Sequence, residues 1–83
     1  MASPELMVQK LKDIERTYND LTDRLADPAL GNDPREMLRI VRTRSGLERT
    51  VEAYHQWQKL GDERRAVRQM IRDEQDPELR ALA

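Results

Sequence analysis

The 83 residues include 16 acidic and 15 basic side chains, which give a formal net charge of −1. A chain of this length forms one small domain with a thin core, so a deep enclosed pocket is not expected. The absence of cysteine excludes a disulfide framework and a cysteine-ligated zinc site. Neither a long apolar run nor a signal-like N-terminus occurs, and we expect a soluble, cytoplasmic protein.

The first predicted helix covers residues 4–26. Ser3 and Pro4 are typical of a helix start, because serine accepts a hydrogen bond from a free amide and proline needs no partner there. Apolar residues then recur at alternating intervals of four and three, as in a helical seam. The seam consists of Met7, Leu11, Ile14, Tyr18, Leu21 and Leu25. Asp27-Pro28 ends this helix, because proline disfavours helical geometry in the preceding residue.

A connection at residues 27–33 leads to a second predicted helix at residues 34–73, which begins with a capping box formed by Asp33 and Glu36. Connections this short usually join antiparallel neighbours, so we expect a helical hairpin. Gly61 is either the end of a helix or a glycine tolerated inside a long one. We favour one continuous helix, straight or kinked near residue 61, because the apolar spacing continues through this glycine.

The second helix carries two apolar stripes on opposite sides, at about 100° per residue. The first stripe is Met37, Ile40, Val41, Leu47, Val51 and Tyr54. The second stripe is Ala53, Trp57, Leu60, Val67 and Ile71. A first helix of about 33 Å would reach residues 53–55 of an antiparallel partner, which is where the stripe changes sides. We therefore expect the first stripe to pack on the first helix, and the second stripe to need another partner.

Two further features concern that second partner. A third helix is predicted to start at residues 77–83, because Asp76-Pro77-Glu78 is a typical helix start. We expect residues 1–83 to be a single N-terminal helical domain or its leading fragment, in which a longer third helix would cover the second stripe. Gly46 lies on the same side of the second helix as the second stripe. It either allows another backbone to approach closely or is a neutral glycine on the surface. The predicted fold class is all-α, an antiparallel hairpin with a long second helix and the start of a third.

The sequence offers no grouping of side chains suited to catalysis. Hydroxyl and carboxylate side chains are not arranged around a base or a glycine-rich loop, so we predict no catalytic, cofactor-binding or metal site and interpret the chain as non-enzymatic. His55 has Glu52 one turn before it. Such a pair ligates metals in four-helix bundles only together with acids from facing helices, and we interpret His55 as a solvated side chain.

Two surfaces are candidates for binding a partner. The first is an arginine stripe on the second helix, opposite the face expected to pack on the first helix. It could bind RNA phosphates or an acidic protein surface, or it could serve only to keep the protein soluble. This arginine stripe consists of Arg35, Arg39, Arg42 and Arg49. The second surface is the second apolar stripe, either as core against a third helix or as a self-association surface. Its candidate residues are Trp57, Leu60, Val67 and Ile71.

Four segments occur in the order in which similar segments occur in one family. They are Leu-Lys-Asp-Ile-Glu-Arg-Thr-Tyr-Asn-Asp-Leu at 11–21, Leu-Ala-Asp-Pro at 25–28, Leu-Glu-Arg-Thr-Val-Glu-Ala-Tyr-His-Gln-Trp at 47–57 and Asp-Pro-Glu-Leu-Arg-Ala-Leu-Ala at 76–83. Together they resemble the N-terminal region of bacterial class I peptide chain release factors. Gly31 stands where release factor two often has tryptophan, so the resemblance is closer to release factor one.

The resemblance implies a helical domain that lies toward the ribosomal stalk base and contributes to contact with the class II release factor GTPase. The full factors recognise stop codons and promote peptidyl-tRNA hydrolysis through a tripeptide loop and a Gly-Gly-Gln motif, which these 83 residues lack. We therefore expect a docking domain of a translation termination factor. The alternatives are a free-standing, self-associating helical adaptor and an RNA-binding helical module.

Overall fold

The computed structural model describes residues 3–74 and 77–82. Helix α1 spans Pro4–Leu25, a 3-10 helix spans Pro28–Asn32, α2 spans Pro34–Asp73, and α3 spans Pro77–Ala81. Contacts between α1 and α2 run in opposite directions along the two helices, from Arg24–Glu36 beside the connection to Glu15–His55 farther away. The predicted all-α fold with an antiparallel hairpin is confirmed, and its extents of 65 × 34 × 15 Å make it a flat, elongated molecule.

Side-chain caps fix where each of the first three helical segments begins. The Ser3 hydroxyl accepts a hydrogen bond from the Leu6 amide at 3.2 Å. Asp27 accepts from the Ala29 amide at 3.0 Å, and Asp33 accepts from the Glu36 amide at 3.1 Å. Each cap satisfies an amide that has no partner inside its own helix, which is typically worth about 1 kcal/mol.

Helix α2 continues for 40 residues through both of its glycines. No described glycine has a positive φ, so Gly61 does not form the left-handed end of a helix. A Cβ added at Gly46 would meet nothing within 4 Å, and one added at Gly61 would meet only the Arg65 guanidinium, at 3.6 Å. Within the described part of the chain, neither glycine is needed for a close approach of another backbone.

Replacing Gly61 by alanine is expected to stabilise the protein by about 0.5–1 kcal/mol. Alanine has the higher helix propensity and reduces the freedom of the unfolded chain, and the contact with the Arg65 side chain is an ordinary one. Gly46→Ala is the matched variant and should give a similar gain. Urea unfolding followed by circular dichroism measures both, and a loss of stability only for Gly61→Ala would indicate a bend that the alanine opposes.

The core lies near the connection, where Leu21, Leu30 and Ile40 are buried and Leu25 and Leu47 pack against them. Leu30 lies in residues 27–33, which the sequence analysis predicts only as a connection between the two helices. The 3-10 helix turns its side chain onto Ile40, so the connection contributes to the core. Farther along the first stripe of α2, Leu47 is half-buried, and Val51 and Tyr54 are buried. Met37 and Val41 lie at the edges of this stripe and are 37% and 42% exposed.

Pairings across the hairpin extend farther along α2 than helix lengths suggest. Beside the connection, Arg24 pairs with Glu36, as expected if α2 starts beside the end of α1. Farther away, Glu15 pairs with His55, and Val8 lines a groove together with Trp57. The first turns of α1 therefore run beside α2 beyond residue 55, which decides what surrounds the second stripe.

Helix α3 begins at Pro77, as the sequence predicts, and contacts α2. The expected cap at Asp76 and the expected end of this helix at Ala83 lie outside the described residues. No helix in the described ranges is long and apolar enough to cross a membrane.

Candidate binding surfaces

Arg44, which the predicted arginine stripe does not include, joins the two hairpin helices. Its guanidinium carbon lies 4.4 Å from the centre of the Tyr18 ring, and its Nε donates to the Thr22 hydroxyl at 2.8 Å. A cation over an aromatic face is stabilised by the ring quadrupole. Arg44 lies one turn from Ile40 on the face toward α1, and this spacing was a signal that could have identified its role.

Glu36 holds together two arginines from different helices. Its carboxylate accepts from Arg39 Nε at 2.9 Å and from Arg24 Nη2 at 2.8 Å. The hydrogen bonds from Arg39 and then Arg24 lower the pKa of Glu36 from 4.5 to about 2. The same pairing raises the pKa of Arg39. Arg39 is therefore the member of the predicted arginine stripe that is already bound to a carboxylate of this chain.

The pKa of Glu36 predicts a specific loss of stability in acid. A carboxyl whose pKa is depressed in the folded state contributes stability above its unfolded pKa, and this contribution is lost as the pH falls through the folded value. The relevant window runs from about 4.5 down to about 2. In that window the wild type should lose more stability than Glu36→Gln, whose amide does not titrate.

Urea midpoints measured by circular dichroism between pH 6 and pH 2 test this expectation. Because the groups are exposed, added salt should reduce the difference. Identical pH profiles for the two proteins at low salt would contradict the assigned role of the Arg24–Glu36–Arg39 cluster.

His55 has a partner that the sequence did not suggest. Its side chain is about half exposed, but Nε2 contacts a carboxylate oxygen of Glu15 across the hairpin. Sequence analysis compared His55 with acids of its own helix, and only the register of α1 and α2 brings Glu15 to it. This pair joins α1 and α2 just before the part of the hairpin in which a groove, described below, opens between them.

The remaining members of the arginine stripe, Arg35, Arg42 and Arg49, are all exposed. None of them forms an ion pair with the residues that the structure describes. They share one side of α2, and Arg49 also lines a shallow pocket together with Leu11 of α1.

The second apolar stripe is largely uncovered by the described residues. Trp57 is 59% exposed, Leu60 55% and Val67 54%, whereas Ile71 is half-buried. Trp57 stacks on the buried Tyr54, with ring centres 6.1 Å apart and planes inclined by 20°. Tyr54 thus connects the hairpin core to the exposed tryptophan and limits the orientations open to it.

A groove of about 720 Å³ opens between the beginning of α1 and the second half of α2. We call it the fork groove. Its lining includes Val8, Lys12, Tyr54, Trp57, Arg64 and Arg68. Sequence reasoning missed the basic residues because it assigned only residues up to about Tyr54 to the hairpin. The four-residue spacing of Arg64, Arg68 and Arg72 was the available signal for a second basic row.

These features define a class of protein: a small helical hairpin whose candidate sites are open, charged and apolar surfaces. The profile of the PCRF domain family matches residues 14–83. The chain belongs to the PCRF domain family.

The curated relatives that the chain resembles are named peptide chain release factor 1. The relative from Anaeromyxobacter dehalogenans is 35% identical over 83 residues, which is 100% of this chain and 22% of the relative. The relative from Symbiobacterium thermophilum is 38% identical over 76 residues, covering 92% of this chain and 21% of the relative. The one from Clostridioides difficile is 31% identical over 77 residues, 93% of this chain and 22% of the relative.

The chain therefore spans about a fifth of the length of the curated relatives that it matches. The match agrees with the predicted resemblance to the N-terminal region of a release factor and with its preference for release factor one. No solved structure matches the chain.

Proposed function

We propose that this chain is a docking domain of a cytoplasmic translation termination factor and has no catalytic activity of its own. The observation that carries this proposal is the PCRF match over residues 14–83 together with relatives named peptide chain release factor 1. The open helical surfaces fit a docking role, because they offer area to a macromolecule. The ribosome is the first partner, and the class II release factor GTPase is the second.

A chimeric release factor tests the docking role. The N-terminal fifth of the Anaeromyxobacter dehalogenans relative would be replaced by this chain, which aligns with it over its full length. The chimera should bind ribosomes and release peptides at stop codons, and its recycling should respond to the class II GTPase. A relative lacking this region is the control. If the chimera behaves like the deletion in all three assays, the docking proposal fails.

The absence of catalysis in the isolated chain needs a separate measurement. Adding the 83-residue protein to ribosomes with peptidyl-tRNA at a stop codon should release no peptide above background. The intact relative serves as the positive control. Stop-codon-dependent release by the chain alone would contradict the proposal.

RNA binding through the arginine stripe is a second candidate, supported by Arg35, Arg42 and Arg49, which are exposed and form no ion pair among the residues that the structure describes. Binding through phosphates weakens steeply with salt, so charge reversal at Arg39 and Arg42 should reduce ribosome association and its salt dependence. Arg35→Glu with Arg42→Glu is the cleaner pair, because it leaves the Glu36 cluster intact. Unchanged ribosome association of this pair would exclude the stripe as an RNA contact.

Self-association is a third candidate, supported by the exposed second stripe. An antiparallel dimer would bury Trp57, and sedimentation at increasing concentration would show it. A strict monomer with a water-exposed tryptophan emission spectrum would exclude the dimer.

A further inference from the structure

We propose that Glu15 and His55 form a pH-sensitive clasp, which holds the first half of α1 on α2 more firmly when the His55 imidazole is protonated than when it is neutral. The inference is independent of the translation role, because it uses only contacts inside this hairpin. It concerns the range from about pH 5.5 to pH 7.5, in which a histidine side chain changes its charge.

The first half of α1, residues 4–15, has little buried surface to hold it in place. Leu21 is the residue of α1 that is buried, and it lies in the core near the connection. Leu6 and Met7 are 48% and 56% exposed, and Val8 is half-buried. A segment with few buried contacts opens locally at a lower free-energy cost than the core. A single polar contact therefore has a large share in holding this part of α1.

Polar links between α1 and α2 are concentrated toward the connection, where Glu36 and Arg44 make them. Among the residues that the structure describes, the contact of His55 Nε2 with the Glu15 carboxylate is the hydrogen-bonding link that reaches the first half of α1. Lys12, which lines the fork groove, comes one turn before Glu15. Loosening this contact would therefore free the part of α1 that borders the groove.

Protonation changes the strength of this link. A glutamate is ionised throughout the range, so a protonated His55 makes a charge-assisted hydrogen bond to Glu15, roughly twice as strong as a neutral one. A neutral imidazole offers the carboxylate a neutral N–H or an unprotonated nitrogen. Because the protonated ring favours the closed hairpin, the clasp contributes most at the acid end of the range and weakens as the pH rises.

The other charged groups around His55 come from α1 and from its own helix. On α2, Glu52 lies one turn before it and Lys59 one turn after it, so their effects on the charge of the ring oppose each other. On α1, three more charged residues line a shallow pocket together with Glu15: Lys12, Arg16 and Asp20. Neither of those two cations forms an ion pair with Glu15 in the described ranges, so its carboxylate is engaged by His55.

Amide hydrogen exchange of the 83-residue protein measures how firmly α1 is held. Protection factors, which remove the intrinsic dependence of exchange on pH, would be compared for residues 8–15 and 40–51 at about pH 5.5 and pH 7.5. In the wild type, protection of residues 8–15 relative to residues 40–51 should fall about two- to fivefold over this range, as expected for a partly exposed ion pair. Added salt should reduce this change.

Three variants assign the change to the clasp. E15Q removes the charge that contacts His55, and E52Q removes an equal charge near the ring without touching the contact across the hairpin. The pH-dependent change should disappear in E15Q and persist in E52Q. H55K keeps a positive charge throughout this range, so its protection should be the same at both pH values. Circular dichroism verifies that each variant is folded.

Other titrating groups are few, because the chain has one histidine and no cysteine. The α-amino group titrates close to this range, but all the variants retain it. A change that persists in E15Q or H55K would assign the response to that group and overturn the proposal. Equal changes in residues 8–15 and 40–51 of the wild type would show that α1 is not held separately. Equal loss of the response in E15Q and E52Q would assign it to the general negative charge around His55.

Discussion

Replacing Ile40 by alanine should remove about 2–5 kcal/mol from the free energy of unfolding. Ile40 is 0% exposed and lies between Leu21 of α1 and Leu30 of the 3-10 helix. Removing its outer carbons leaves a cavity where three segments meet, and a chain with few buried side chains has little freedom to fill it. Since whole domains are typically stable by about 5–15 kcal/mol, the variant should be largely unfolded at moderate urea.

Leu38→Ala is the matched control, because Leu38 is on the same turn of α2 and is 49% exposed. Its effect should stay within about 0.5 kcal/mol. Urea unfolding followed by circular dichroism gives both values. Equal loss in the two variants would mean that the 3-10 helix does not seal the core over Ile40.

Tyr54→Ala is the second substitution with a large expected effect, a loss of about 3–5 kcal/mol as for other buried aromatic residues. Tyr54 is 3% exposed, and its ring also supports the stacked Trp57. The variant should therefore lose stability and also change the environment of the tryptophan. Its fluorescence should become more solvent-exposed and less anisotropic even at temperatures where the helices remain folded.

Tyr54→Phe separates the ring from its hydroxyl. Among the described residues, no buried side-chain oxygen or nitrogen lacks a hydrogen-bond partner, so the Tyr54 hydroxyl is not a buried group left unpaired. Phenylalanine should therefore cost less than about 1 kcal/mol and leave the fluorescence unchanged. A large loss in Tyr54→Phe would show that the hydroxyl, rather than the packed ring, holds this part of the hairpin. The anisotropy of Trp57 in the two variants decides between these cases.

Local signals in the sequence were sufficient for the helices themselves. Ser3, Asp27 and Asp33 cap the segments that follow them, and prolines come directly after each cap. These signals act over one turn of helix and depend on no distant residue, so they can be read without the fold. Apolar spacing through Gly61 likewise predicted the continuity of α2, because helix propensity costs only about 1 kcal/mol at a single glycine.

The two faces of α2 were also visible in the sequence, since the angular position of a residue on a helix follows from its number alone. That reasoning located the arginine stripe and the exposed second stripe. It could not locate the groove, because a groove between two helices depends on where one helix lies along the other. That Lys12, Arg64 and Arg68 line one groove became visible only once the position of α1 beside α2 was known.

The sequence by itself determined the helical class of this protein, the limits of α1 and α2, the opposed stripes and the family. Tertiary structure alone decided the register, the core position of Leu30, and the pairing of Arg44 with Tyr18 and of His55 with Glu15. The physical reason is that capping and periodicity are local, whereas the position of one helix along the other depends on packing between residues far apart in the sequence, such as Leu21, Leu30 and Ile40. A change in that position would alter the contacts across the hairpin without altering any local signal.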